Sequence, residues 1–419
     1  MGLTNSYMHS DPSPATFHTT SVQSRVGERG LPVRNAGTKR ALDAAWRCSP
    51  RRRGVTIVLS LFLMAALLVV LALVLDLSRI SIARDELQRS ADATALAACW
   101  QLFDDKVSMR TLGETTRNVQ QTSSEIAAAN RIANQSPSLS GALGDLQLGR
   151  FSFPSSSFSL TNQLADLNAV RVNLRRQSEI NGEVQLFFSR LLGRESQALQ
   201  STATAAMVSE ITGFHLPGLN QPNLQILPIA LDLETWLSVL SGQTTDNFQW
   251  SGSNVSSGSD GVYECNLYPQ GTGSPGNRGT VDIGSSNNST ADIRRQIIHG
   301  ISRQDMLALG KPLQFDANGE LLLNGDTGIS AAIKDDLADI IGQKRIIPIF
   351  TSVSGNGNTA WYKIVRFEGV RILEVKLTGP MKQKRLIVQP APMIARGSIV
   401  KQNASQPSST LFTPVMLVN

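Results

Sequence analysis

The sequence predicts a single-pass membrane protein: an N-terminal transmembrane helix continuing as an extracytoplasmic helix, a mixed α/β middle region and a β-rich C-terminal domain. Three observations carry this reading. Residues 54–75 are apolar and uncharged, and the excess of positive charge lies wholly before them. Downstream, helical periodicity gives way to short alternating runs bounded by Gly, Pro, Ser and Asn.

The apolar run reads GVTIVLSLFLMAALLVVLALVL and follows Arg51-Arg52-Arg53. At ~1.5 Å per residue it spans about 33 Å, enough for a hydrocarbon core of roughly 30 Å. Its Leu, Val, Ile and Phe side chains together favour insertion by about 7 kcal/mol. A cleaved secretory signal has a shorter apolar region that ends near a small-residue site. Here the run passes directly into Asp76-Leu77-Ser78-Arg79, so the span is expected to remain as an anchor. No second stretch of comparable length occurs.

The formal net charge of +6 invites a nucleic-acid reading, but its placement argues for topology instead. Residues 1–53 hold nine of the 39 Lys and Arg and three of the 33 Asp and Glu, so residues 54–419 balance at 30 of each. Positive residues beside a span stay in the cytoplasm. The N-terminus is therefore expected inside and the remainder outside the cytoplasmic membrane, with no nucleic acid as a partner.

Each segment follows from its composition. Residues 1–50, rich in Ser, Thr, Pro, Gly and Arg, are expected to be a disordered basic cytoplasmic tail able to meet anionic membrane lipid. Residues 51–100 form the anchor unit, a transmembrane helix at about 54–76 and a juxtamembrane helix. From Leu75 to about Gln101 there is no Gly or Pro, and Ile80, Ala83, Leu87, Ala91, Ala95, Ala98 and Leu102 recur at helical spacing. The alanines of this stripe admit a close neighbour. That neighbour is either the chain's own domain or a second copy, giving self-association through the 75–102 helix.

Residues 101–210 read as mixed α/β. They comprise a second helical stretch around Glu125–Asn130, strands at LQLGRFSF and AVRVNLRR, helical spacing in EVQLFFSRLLG, and a small-residue segment at 196–209. Residues 211–419 read as a β-rich domain with long Gly/Ser/Asn loops. Pro217, Pro222 and Pro228 punctuate its entry, and residues 241–290 are dominated by Gly, Ser, Asn and Thr. LQFDANGELLL places Asn318-Gly319 between two apolar runs, a hairpin signal. RIIPIF, YKIVRFEGVRILEVKLTG and RLIVQPAPMI are strands. Residues 330–342 are the clear amphipathic helix, through Ile333, Leu337, Ile340 and Ile341.

No chemical motif survives inspection, and no catalytic, cofactor-binding or metal-ligating residue is assigned. Gly271-Thr-Gly273-Ser-Pro-Gly276 has the dinucleotide spacing, but the mechanism needs a helix to start there, and a strand-like NRGTVDIG follows. His9, His18, His215 and His299 lack a second histidine at metal spacing. Asp316-Ala-Asn318-Gly319-Glu320 is too short for a calcium loop and reads as a turn. Asp335 and Asp336 fall on the solvent face of a helix. With Cys48 inside, Cys99 and Cys265 share the oxidising compartment, where a bridge and two free buried thiols are both open.

The junction sequence carries a resemblance. Arg53-Gly54, the span, Asp76-Leu77-Ser78, and then Leu87-Gln88-Arg89-Ser90-Ala91-Asp92-Ala93-Thr94-Ala95-Leu96-Ala97 resemble the N-terminal domain of TadG-like proteins of the bacterial tight-adherence (Flp pilus) assembly systems. Residues 170–206 and 229–236 look like the extracytoplasmic region that follows in such proteins. The resemblance implies a bitopic protein of the bacterial envelope, associated with pilus assembly or secretion, and implies no reaction; a non-enzymatic role is expected, with other envelope or pilus-assembly proteins as partners. Some members carry an adhesion domain whose metal site needs Asp-x-Ser-x-Ser; here Asp76 and Ser78 are followed by Ile80, and that site is absent. A pilin-like subunit is the alternative, but cutting after Gly54 would put Leu59 where that class carries Glu. An anchored extracytoplasmic enzyme comes third.

Overall fold

The computed structural model describes residues 53–152, 155–269, 278–284, 289–400 and 407–418. The basic tail at 1–50, with Cys48, His9 and His18, and the glycine cluster at 271–276 lie outside the described residues.

One helix, α1 (Arg53–Val107), runs without interruption for 55 residues. Its apolar stretch is long enough to cross a membrane, and none of that stretch is buried within the protein. From Val55 to Leu75 the large side chains are exposed; from Ala83 onward Ala83, Leu87, Ala91, Ala95, Ala98 and Leu102 are fully buried. The change in surroundings tracks the change in composition. Long aliphatic residues face what would be lipid, and small residues at three- and four-residue spacing let a β-sheet approach the helix axis. The alanine stripe is thus occupied by the chain's own core, and that face is closed to a second copy.

Two elements cover it. Helix α2 (Leu112–Ala129) begins with a capping box between Thr111 and Glu114 and buries Val119, Ser123 and Ala127. The sheet consists of β1 (Leu146–Ser152), β2 (Ser157–Leu160), β3 (Ala169–Arg176) and β4 (Leu199–Ala206), in the order β2-β1-β3-β4, all antiparallel. Val170, Val172 and Leu174 of β3 point into the core beside Ala203 and Ala205 of β4, the alternation expected of a half-buried strand. A fifth strand, Met416–Val418, pairs antiparallel with β4. The first sheet therefore joins residues 146–206 to a strand more than 200 positions further along the chain.

The remaining residues build a closed barrel. Its strands are β5 (Ile229–Asp232), β6 (Gly279–Val281), β7 (Leu321–Asp326), β8 (Lys344–Ser354) and β9 (Ala360–Lys376). Each pairs with its neighbour in the cycle β9-β7-β6-β5-β8-β9, antiparallel except where β8 runs parallel to β5. The 17-residue β9 lines β8 on one side; on the other it meets β7 and then β10 (Arg385–Pro390). Alternation sorts the side chains. Val281, Leu323, Ile346, Phe350, Tyr362 and Ile364 share one core, whereas Ile347, Ile349, Val370 and Ile372 share another with Trp236, Ile297 and Leu337 of the flanking helices. The strands approach closely where β6 crosses β7: a Cβ on Gly279 would lie 1.8 Å from the Asp326 carbonyl.

Four sequence expectations change. EVQLFFSRLLG forms a two-residue strand at Val184–Gln185 and a single 3-10 turn at Ser189–Leu192, because Gly193 closes the turn at φ 79. Residues 330–342 give a 3-10 turn (Ala331–Ile333) and a short helix (Lys334–Ala338), with Ile341 exposed. Three further helices, Leu233–Leu240, Thr290–His299 and Arg303–Ala308, stand in the same half. Asn318-Gly319 does form a turn, tied by the Asp316 carboxylate to the Asn318 and Glu320 amides. Its two arms part at once: Gln314 bridges Gly213 while β7 pairs with β9. Cys99 and Cys265 are free, buried in separate cores, and form no bridge.

Leu87 sits fully buried in mid-helix. Leu87→Pro removes a helical hydrogen bond and a core side chain together, at a cost of about 3 kcal/mol or more from the backbone alone. Full-length protein in detergent should lose far-UV helical circular dichroism and melt at lower temperature while still fractionating with membranes.

Candidate functional site

At the outer end of α1 the chain reverses. Asp104, Asp105 and Lys106 carbonyls accept from the Ser108, Arg110 and Met109 amides, and Met109 takes a left-handed φ of 50. This turn forms one wall of a cavity of about 510 Å³, completed by Arg150, Leu164–Asp166, Leu240, Pro390, Pro392 and Phe412. A second cavity of about 380 Å³ shares Met109, Pro390 and Pro392 with it and adds Trp250, Asp260, Lys344, Arg371 and Gln389. The two make one groove where the first sheet, α1 and the barrel meet.

Its walls are held by specific contacts. Phe412 packs edge-on against Phe103 of α1, 6.2 Å between centroids. The segment 408–410 leading to it is fastened to β9 by Glu368, whose buried carboxylate accepts from Ser408 Oγ, the Ser409 and Thr410 amides and Thr410 Oγ1, with Arg366 Nη1 at 3.2 Å. The Arg371 guanidinium lies 3.9 Å from the Trp250 ring centroid and donates to the Gly342 carbonyl. Such stacking fixes a cation's direction and covers an apolar wall at once.

The groove is apolar with a basic lining, Lys106, Arg110, Arg150, Lys344 and Arg371 against Asp166 and Asp260. Burial pushes the Lys106 ammonium down to about 8, opposed by the charge of Asp166. Burial does the same to Lys344, also to about 8, aided by Arg371 and opposed by Asp104. Values this low accompany lysine nucleophiles in some enzymes, but both amines here are committed. Lys106 Nζ donates to the Leu164 carbonyl at 2.8 Å, and Lys344 Nζ to that of Pro392 at 2.7 Å. Both are largely charged at neutral pH. What the arrangement offers is positive charge beside a partly apolar surface.

The other chemistry-bearing residues are placed elsewhere. Among the described residues, no three His, Cys, Asp or Glu side chains gather as a metal site would require. His299 closes the helix Thr290–His299, and His215 is exposed just past Ile211–Phe214. Burial pushes the Cys99 and Cys265 thiols up to about 12, so both stay protonated. Asp336 pairs with Arg294 at 2.7 Å and Asp335 with Lys334 at 3.3 Å. Sequence reasoning missed the groove because its walls come from many short segments far apart in the chain. The Pro390–Pro392 spacing, within a stretch read only as a strand, is the one local mark.

Lys106 and Lys344 fix the sign of a pH effect. Between about 8 and the ordinary lysine value of 10.5, the unfolded chain holds protons that the folded chain has released, so stability rises with pH across that window. Chemical denaturation of full-length protein should show the rise, and Lys106→Met should make it shallower.

Comparison with known proteins finds likeness over about a third of the chain. Residues 54–101 match the family model described as Flp pilus-assembly TadE/G-like, and residues 90–205 match the one described as Tad-like Flp pilus-assembly. No curated protein and no solved structure matches the chain. The two matches run from the apolar span through α2 to the end of β4, the stretch in which one helix serves as both span and core. Over residues 54–205, with the junction motif that the sequence presents, the chain is similar to Tad-like proteins of the Flp pilus-assembly class.

Proposed function

We propose that this is a non-enzymatic envelope protein, anchored in the bacterial cytoplasmic membrane by residues 54–75, which presents its barrel to other pilus-assembly or surface-attachment proteins. The observation that carries the reading is α1, a single helix apolar and exposed at one end and the spine of a folded core at the other. A helix of that kind joins span and domain core in one element without needing a reaction. The groove at its outer end is the contact we assign to a partner, one offering an acidic and partly apolar segment to match the basic lining. Self-association would need a face of α1 other than the alanine stripe.

The charge distribution supports an inside N-terminus. Protease added to intact spheroplasts should digest residues 77–419 and leave the tail; a protected C-terminal mass would reverse the topology. For the partner, a photo-crosslinking amino acid at Met109, in the groove wall, should trap a discrete envelope protein in native cells. Loss of that adduct on Arg371→Glu is expected, and an adduct insensitive to the charge reversal would move the contact elsewhere.

A further inference from the structure

Large apolar side chains are exposed in succession at one place outside the span among the described residues. Phe187, Phe188, Leu191 and Leu192 are 65%, 40%, 87% and 66% exposed. The loop that carries them is firmly held. Val184 and Leu186 before it are buried, Arg190 Nη2 donates to Gln185 Oε1 at 3.0 Å, and Gly193 closes the turn. The strongest tie is to α1. The carboxylate of Asp76 accepts from the Phe187, Phe188 and Ser189 amides at 2.9, 3.0 and 2.6 Å and from Ser189 Oγ at 2.7 Å. Asp76 is the residue directly after Leu75, where the apolar run ends, so the loop backbone is pinned level with the edge of the span.

Apolar surface held rigidly in water is costly, and its surroundings say what covers it. Leu75, Ile82, Phe187 and Phe188 line a common groove of about 540 Å³ with Arg79 and Glu86. The Arg79 guanidinium lies 4.3 Å from the Phe187 ring centroid, and Arg190 and Arg194 are exposed on the loop. Apolar tips rimmed by arginines, continuous with a membrane span, are the chemistry of a bilayer interface: rings and leucines enter the acyl region while guanidinium groups reach phosphates. We infer that residues 187–192 insert into the phospholipid leaflet beside the span and form a second membrane contact. The domain is thereby fixed in tilt and rotation as well as in distance.

This rests on residues 54–75 being embedded, and the test separates the two. In a Cys48→Ser background, with Cys99 and Cys265 buried, single cysteines replacing Leu67, Leu191 or Leu219 receive an environment-sensitive fluorophore. The full chain is reconstituted into phosphatidylethanolamine–phosphatidylglycerol vesicles. Leu67 lies within the span, and Leu219 is 88% exposed in the proline-punctuated segment leading into the barrel. Nitroxide lipids should quench the probe at 67 from deep acyl positions and at 191 from shallow ones, several-fold more strongly than at 219, where aqueous iodide should dominate. Asp76→Ala should shift the probe at 191 toward iodide without changing 67. Absence of lipid quenching at 67 overturns the anchor itself. Quenching at 67 with iodide access at 191 overturns the loop insertion alone, as does shielding at 191 from both quenchers, which would signify a protein surface. Equal lipid quenching at 191 and 219 would likewise deny the loop a specific role.

Discussion

One helix has to satisfy two solvents, and the rest of the protein is arranged around that constraint. Along its first turns α1 exposes Val, Leu, Ile and Phe on every side; beyond Asp76 it exposes charges on one side and offers alanines on the other. Lipid rewards bulk on all faces, whereas a sheet packed on a helix rewards small side chains along a single stripe. The change comes within two turns, at Asp76, which turns from the helix axis to receive three backbone amides of a distant loop. Helix α2 and the first sheet pack on the alanine stripe, while the barrel keeps cores of its own.

Carboxylates recur in the same use. Asp76 holds 187–189, Glu264 accepts from the Asn247 and Phe248 amides, Asp305 serves Ser302 and Arg295, and Glu368 gathers 408–410. A barrel with long irregular loops leaves many amides without ladder partners, and Asp76, Glu264 and Glu368 each satisfy two or three at once. These four acids are spent largely on local structure.

The sequence revealed the elements whose surroundings are uniform along their length. The span, the alanine stripe and strands such as Ala169–Arg176 each meet one environment per face, so periodicity reports it. Where burial depends on distant partners, the pattern misleads. Phe187 to Leu192 have helical spacing, yet those side chains are exposed and the backbone is bent around Asp76. The arms around Asn318-Gly319 look alike, yet each has a better partner elsewhere. The groove was illegible for the same reason, since Lys106, Lys344 and Phe412 become neighbours only through the meeting of α1, barrel and sheet.

The pairing of Met416–Val418 with β4 has a temporal consequence. Met416 opposes Ala206, 210 positions earlier, so a chain emerging vectorially inserts its anchor and forms β1 to β4 long before the outermost strand exists. Through that interval β4 is an unprotected edge, able to template pairing with any extended segment nearby. Closing it requires the intervening barrel to fold first and bring residues 411–418 back, a contact of high sequence separation and correspondingly slow formation. Maturation of the membrane-proximal sheet is thus gated by completion of the barrel farthest along the chain, and a stalled or clipped barrel would leave a sticky edge beside the membrane.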